Sequence, residues 1–259
     1  MPASKSLRVC SLTHKLVRYL PSVELQTLLE QHRKEGTVGD TLLVLQHAPV
    51  FTVGKRGSAQ DFHTDPEELR RTGFEIYSVP RGGETTYHGP GQLVAYPIIN
   101  LRQLGLGARA FVEGLEDAMV QAAGCFGIEA RGRVPGKTGV WVGERKIGAV
   151  GVRISHGISS HGVALNVTTD LSHYRHIVPC GTPDKEVTSV QRELQQAGTY
   201  FEAGGEGGDA AKDDALLQDT APNLLKEAEQ HMVRCIAGVY GYTDVQDIVE
   251  EQLLPTTAR

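Results

Sequence analysis

Lys137 to Val167 reads KTGVWVGERKIGAVGVRISHGISSHGVALNV. Apolar and β-branched runs broken by short polar interruptions are the mark of strands joined by tight turns. GVWV and KIGAVGVRI flank Gly143-Glu144-Arg145 as a hairpin, and HGVALNV supplies another strand after a turn within Ser155 to Ser160. Counting by twos puts Lys146, Gly148, Val150, Val152 and Ile154 on one face, with a lysine at the end of an apolar row. Two readings stand for that lysine. It is a partly desolvated functional cation, or a strand-end residue whose head reaches water along its flexible stem.

Working outward, TLLVLQH and VFTVG read as short buried strands divided by Pro49, FEIYSV as a strand, and LVAYPII as another. Ser22 is a candidate cap for a helix with Leu25, Leu28, Leu29 and His32 on one face, ending near Gly36. DPEELRRTG is a compact helix with Asp65 as cap, Pro66 in the first turn and Gly73 at the stop. Phe111, Leu115, Met119, Ala122 and Phe126 mark a long amphipathic helix, and Pro222 opens a last one along Leu225, Ala228, Met232, Ile236 and Val239. Strands interleaved irregularly with a few helices predict an α+β fold, a mixed sheet with helices packed on it.

The 259 residues, 40% hydrophobic, suit one large domain. The net charge of −5 gives no global attraction to nucleic acid or anionic membrane, and no apolar run has the ~18 residues that a spanning helix needs. Cys10, Cys125, Cys180 and Cys235 are widely spaced without a CxxC pair, so neither a zinc knuckle nor a disulfide framework is indicated. Met1 to Val23 carries Lys5, Arg8, Lys15 and Arg18 and no acid, which fits either a transit segment or a short basic start. Residues 1–14 are therefore read as an extension before a single catalytic domain spanning 15–259. Thr199 to Thr220 is glycine-rich and acidic, the composition of a solvated, disordered insertion.

The chemistry lies in RGGETTYHGPGQ, Arg81 to Gln92, and in HIVPCGT, His176 to Thr182. The first sets polar side chains on a pliable strand-to-strand loop. In the second, Cys180 sits on a turn between Pro179 and Gly181, as a nucleophile or as a structural thiol. A thiol of pKa ~8.5 is a nucleophile at neutral pH only with an activator, for which the histidines and Lys146 are the candidates. Other motifs lead nowhere. GLGARA at Gly105 lacks the βαβ setting of a dinucleotide site, GRVPGKT has three residues between its glycines where a phosphate loop needs four, and His173 with His176 has no accompanying ligand cluster.

In order, RGGETTYHGPGQLVAYPI, the 137–167 stretch and HIVPCG followed by VTSV resemble the lipoyl(octanoyl) transferases, from about residue 15 to Val190 and again in the last helix. That resemblance implies the fold shared with biotin- and lipoate-protein ligases. It also implies transfer of an octanoyl group from octanoyl-acyl carrier protein to a lysine of lipoyl domains, those of the glycine cleavage H protein and of 2-oxoacid dehydrogenase E2 subunits. No cofactor, metal, nucleic acid or membrane is implied.

By the same resemblance Cys180 is the acyl-thioester nucleophile and Lys146 its partner. Arg81, Gly82, Gly83, Glu84, Thr85, Thr86, Tyr87 and His88 form the substrate loop, and Gly148, Ala149, Val150, His161, Gly162 and Val163 two further binding segments. On this reading Gly82 and Gly83 let the backbone approach the acyl chain, Tyr87 and His88 wall the cleft, and Gly148 and Gly162 leave room for the tail. The compartment implied is mitochondrial for a eukaryotic source and cytoplasmic for a bacterial one. The rival readings are an ATP-dependent ligase on the same fold and a non-catalytic docking protein for lipoyl domains.

Overall fold

The computed structural model describes residues 5–178, 186–198 and 210–255, with the backbone alone for 210–222. A seven-stranded sheet has the order β10-β1-β2-β6-β9-β8-β7, and a three-stranded sheet the order β4-β3-β5. The strands of the large sheet are β1 (Ser6–Val17), β2 (Thr41–His47), β6 (Gln92–Ile98), β7 (Val140–Val142), β8 (Arg145–Ser155), β9 (Ile158–Asn166) and β10 (Asp244–Asp247). Those of the small sheet are β3 (Val50–Val53), β4 (Glu75–Ser78) and β5 (Thr85–His88). β1 runs parallel to β2 and β10, and β3 parallel to β4, whereas the remaining pairs are antiparallel. The expected α+β class with a mixed sheet is the observed one.

The 137–167 stretch folds as its turn chemistry dictates. Gly143, at φ 56, opens the two-residue turn between β7 and β8, one residue shorter than the expected Gly143-Glu144-Arg145, with Val142 opposite Arg145. His156 and Gly157, at φ 54 and 88, make a two-residue turn between β8 and β9, tighter than the expected span of Ser155 to Ser160.

On one face of the large sheet, α4 (Ala108–Gly124) and α6 (Ala210–Tyr240) bury Phe111, Leu115, Met119, Met232 and Ile236 against Val9, Leu42, Val44 and Leu165. On the other, Leu29 of α1 (Tyr19–Glu35) joins Leu43, Leu45, Val94 and Tyr96. α2 (Pro66–Arg71) packs Leu69 beside the small sheet, and α3 (Leu101–Leu104) and α5 (Val190–Gln196) are short connectors.

Four expectations are corrected. The first concerns the N-terminus: Ser6 to Val17 is a strand inside the large sheet, so residues 6–14 are part of the domain and not an extension before it. Leu7 and Val9 are buried on one face and Cys10 and Leu12 on the other, while Lys15 stays exposed beside Glu250 where the pairing with β2 is irregular.

The second is that α1 starts at Tyr19, with Arg18 and not Ser22 at its cap; Ser22 donates to the Tyr19 carbonyl at 2.7 Å. Its buried face is Tyr19, Ser22, Gln26, Leu29 and Arg33, and Leu28 is exposed, because the helix covers a polar cavity and not only apolar core.

Thr85 to His88, thirdly, is a strand paired with β3 and not a loop. Fourthly, the last helix begins at Ala210 and not at Pro222. Of the expected insertion, residues 199–209 lie outside the described residues, whereas 210–220 are helical, in line with the alanines, leucines and lysine that follow the glycines.

Candidate active site

A cavity of about 300 Å³ opens between α1, the middle of the large sheet and the loop after β4. Strand alternation decides which motif residues reach it. Thr86 and His88 of β5 line it. Thr85 and Tyr87 point the other way: the Thr85 hydroxyl donates to Asp61 at 2.6 Å, and the Tyr87 hydroxyl meets His173 Nδ1 at 2.8 Å among the rings of Phe51 and Phe74. Tyr87 therefore walls the small sheet's core and not the cleft, a consequence of the period of two that a loop reading hides.

Arg81, Gly82, Gly83 and Glu84 line the mouth. The buried Arg81 guanidinium donates through Nη2 to the Thr52 carbonyl at 2.7 Å and the Thr52 hydroxyl at 2.8 Å, and through Nη1 to the Gly82 carbonyl at 2.9 Å. The loop is tied to β8 by the Gly82 N–H on the Val152 carbonyl at 2.9 Å. Gly83, at φ 89, turns the chain so closely over Gly54 that a Cβ on Gly54 would lie 2.3 Å from the Gly83 oxygen. The glycine freedom thus serves a backbone crossing.

The floor is Ala149, Val150 and Gly151 of β8 and His161, Gly162, Val163 and Ala164 of β9. Two expected tail-room glycines have other duties. A Cβ on Gly148, which does not line the cavity, would meet Met119 Sδ at 2.8 Å, and one on Gly162 would meet the Ala95 oxygen at 2.1 Å and Pro97 Cδ at 2.6 Å. His161 sits at φ 56 opposite Val152, and its N–H is satisfied by the Gln26 side chain at 2.7 Å.

The cavity's histidines are neutral. Burial pushes His161 down to about 4, helped by Arg81 and Arg153, and drives His88 well below its ordinary value, helped by His47 and Arg81. Behind His88 a polar strut continues. His88 Nδ1 is 2.7 Å from Gln92 Oε1, Gln92 Nε2 donates to Asn166 and Tyr174, and Asn166 donates to the Thr188 carbonyl at 3.0 Å.

Lys146 ends this strut. Its side chain is buried and lines the cavity, with Nζ donating to the Thr138 carbonyl at 2.9 Å and lying 5.3 Å from the centroid of the Trp141 ring. The residue does not reach out to water. Its backbone is clasped as well: Lys146 N–H donates to Glu186 O at 2.8 Å, and Thr188 N–H donates to Lys146 O at 2.9 Å. VTSV, residues 187–190, is thus the segment that fixes the lysine's strand.

Cys180 lies outside the described residues, which stop at Val178 and resume at Glu186. The second flank attaches at the site, and the first on the side of β5 that faces away from the cavity. Val178 N–H donates to the Asp61 carbonyl at 2.7 Å, beside Thr85, and Glu186 is held by Lys146. His173 and His176 bond Tyr87 and Thr64.

Tyr19, Tyr96, Thr138 and Trp141 also line the cavity and were not expected. Trp141 carried a signal in the sequence. In a hairpin turning at Gly143-Glu144, the residue opposite Lys146 is Trp141.

Residues 18–202 match the family model of the lipoyl protein ligase A/B catalytic domain. The chain belongs to that family. The mitochondrial octanoyltransferase of Arabidopsis thaliana is 44% identical over 229 residues, covering 88% of this chain and 87% of its own. An octanoyltransferase of Solibacter usitatus is 46% identical over 190 residues, 71% of this chain and 86% of its own. Among solved structures, a putative lipoate protein ligase from T. acidophilum with bound lipoic acid shares the fold at TM-score 0.64 and 14% identity, over 96% of this chain and 91% of that one. A lipoate-protein ligase A bound with ATP gives TM-score 0.64 at 15% identity, over 96% and 90%. This family member is an acyltransferase of protein lipoylation.

Proposed function

We propose that this enzyme moves an octanoyl group from octanoyl-acyl carrier protein to a lysine of lipoyl domains through a thioester on Cys180, with Lys146 as the acid and base beside it. The observation that carries the reading is the buried Lys146 ammonium at the end of a cavity of about 300 Å³, the low end for small-ligand sites and suited to one short acyl chain. An ammonium near a thiol favours the thiolate. The Cys180 thiolate attacks the donor's thioester carbonyl, the carbonyl–sulfur bond to the carrier breaks, and the departing thiolate takes a proton from Lys146. The acceptor lysine then attacks the octanoyl-enzyme, Lys146 receives its proton, and an amide replaces the thioester.

Two of the three other thiols suit this reading as bystanders: burial pushes both Cys10 and Cys235 up to about 11, where little thiolate exists at neutral pH. Acceptors of the expected kind are the glycine cleavage H protein and the E2 subunits of 2-oxoacid dehydrogenases. Mitochondrial location for a eukaryotic source, or cytoplasmic for a bacterial one, now rests on the plant and bacterial relatives alone, since the basic residues Arg8 and Lys15 belong to β1.

The test is intact-mass analysis after mixing with octanoyl-carrier protein and no ATP. One added octanoyl group on Cys180, discharged by a lipoyl domain and missing in Cys180→Ser, is the expected result. Mapping of the group to Cys10, Cys125 or Cys235, or a strict need for ATP, would return the ligase reading to first place; binding of lipoyl domains without any acylation would favour the docking protein.

A further inference from the structure

Glu116 is a carboxylate in the wrong place for an ordinary amphipathic helix. It lies in the middle of α4, next to Leu115 in the main core, with only 3% of its surface exposed. Buried acids are rare unless their oxygens are satisfied. Here both are taken up by backbone: Oε1 accepts the Gly139 N–H at 2.6 Å, and Oε2 accepts the Arg133 N–H at 2.9 Å. The helix therefore grips the connection between α4 and β7 at its middle and at its last residue. Gly132 lies so close that a Cβ there would be 2.9 Å from Glu116 Cβ.

The Gly139 N–H belongs to the same amide as the Thr138 carbonyl, and that carbonyl is the one that holds Lys146 Nζ at 2.9 Å. In a trans peptide the N–H and the C=O point in opposite directions, and no cis peptide occurs among the described residues. A single planar amide thus carries a carboxylate at its donor end and an ammonium at its acceptor end. Each charge polarises the amide in the sense that strengthens the bond at the other end. Gly139 sits at φ 119, and a Cβ would fall 2.6 Å from both Lys146 Cε and the Gly148 oxygen, so the lysine passes directly over this glycine.

We propose that Glu116 is a positioning residue for Lys146, acting through the Thr138–Gly139 peptide. Its carboxylate fixes the plane of that peptide, and the peptide carbonyl fixes the ammonium over Trp141 at the end of the cavity. A rotation of this one amide would release the carboxylate and the lysine together. The inference rests on the reading of Lys146 as the acid and base of octanoyl transfer.

Trp141 is the single tryptophan of the chain, so the emission comes from one ring; Lys146 Nζ lies 5.3 Å and Lys137 Nζ 5.5 Å from its centroid, and the measurement is made in a Lys137→Met background so that it reports on Lys146. Glu116→Gln keeps the shape but presents an NH2 to one of the two N–H groups, which leaves one donor facing another. It is expected to lower kcat for octanoyl transfer tenfold or more, with KM for octanoyl-carrier protein changed less than twofold. Its Trp141 emission should shift in the same direction as that of Lys146→Ala. Wild-type kcat and wild-type Trp141 emission in Glu116→Gln, while Lys146→Ala is impaired, would overturn the proposal. Full activity in Lys146→Ala would instead remove the reading on which it rests. Should Glu116→Gln not fold, Lys146→Ala supplies the reciprocal measurement. Loss of the ammonium must weaken the Gly139 bond to Glu116, seen as an upfield shift of the Gly139 amide proton in an amide NMR spectrum. An unmoved Gly139 resonance would refute the relay.

Discussion

Replacing Glu193 by glutamine should loosen the clasp on Lys146 from behind. Glu193 of α5 accepts Arg145 Nε at 3.0 Å, Arg145 Nη2 at 2.7 Å and the Thr188 hydroxyl at 2.5 Å, and its side chain is 9% exposed. Thr188 is also the residue whose N–H holds the Lys146 carbonyl. A buried pair broken on one side loses ~3–5 kcal/mol. Arg145, however, keeps 30% of its side chain in solvent and can be rehydrated, and glutamine still accepts one bond. About 2 kcal/mol remains, close to one charge-assisted bond, and for a chain of this size that corresponds to a fall in Tm of about 4–8 °C. The assay is thermal unfolding at pH 7, with a double-mutant cycle against Arg145→Met to isolate the pair.

The pH dependence provides an internal check. Burial pushes the Glu193 carboxyl up, but the bonds from Arg145 and Thr188 outweigh burial and hold it below the ordinary value of 4.5. A depressed carboxyl contributes stability that is present above its unfolded pKa and lost as pH falls through the lower folded one. The gap between wild type and variant should therefore be constant near neutrality and close in acid. A Tm change under 1 °C, or a coupling energy of zero with Arg145, would show that the clasp is not held by this pair.

Two further outcomes follow from the site. His47 and His161 are pushed by burial from 6.5 to about 4, so the unfolded chain takes up protons first. Stability is then complete above pH 6.5 and lost as pH falls toward 4, by about 3 kcal/mol for each histidine; a urea midpoint that stays flat between pH 7.5 and 5 would contradict their neutral burial. Gly162→Ala must displace β6 backbone, since the Ala95 oxygen lies 2.1 Å from the new Cβ, whereas Gly148→Ala meets only the flexible Met119 side chain at 2.8 Å. Melting curves should show a loss of about 3 kcal/mol or more for the first and about 1 kcal/mol for the second, and the reverse ranking would argue against the close crossing at Gly162.

How much the sequence disclosed depended on whether a signal was local. The β7–β8–β9 hairpins were legible because glycines and short breaks mark their turns, but the first turn is Gly143-Glu144 and not Gly143-Glu144-Arg145, and that one residue decides that Trp141 and not Val142 stands opposite Lys146. Thr85 to His88 was hidden because glycines and a proline surround it; only pairing with β3 reveals that Thr86 and His88 face the cavity while Tyr87 does not. β1 was hidden because Arg8 and Lys15 give it a leader's charge bias, and because Leu7 and Val9 are buried on one face and Cys10 and Leu12 on the other, so that no alternation marks it. The strut from His88 through Gln92 and Asn166 to Thr188 joins residues far apart in sequence, and no spacing rule anticipates it. Cys180 still rests on its motif and on its anchored flanks.

The place of β1 in the large sheet also sets the order in which the molecule can be completed. Its inner neighbour β2 follows soon after it, but its outer neighbour β10 comes only near the far end of the chain, after the helix that lays Leu225, Ala228, Met232 and Ile236 over the core. A nascent chain lacking its last segment therefore carries an unpaired strand edge beside uncovered apolar surface, the combination that invites association with other chains. Among the described residues the finished enzyme keeps the short, acidic β10 at that edge, with Asp244 and Asp247 at its ends. Aggregation is thus a hazard of synthesis, which ends when the final strand docks beside the first.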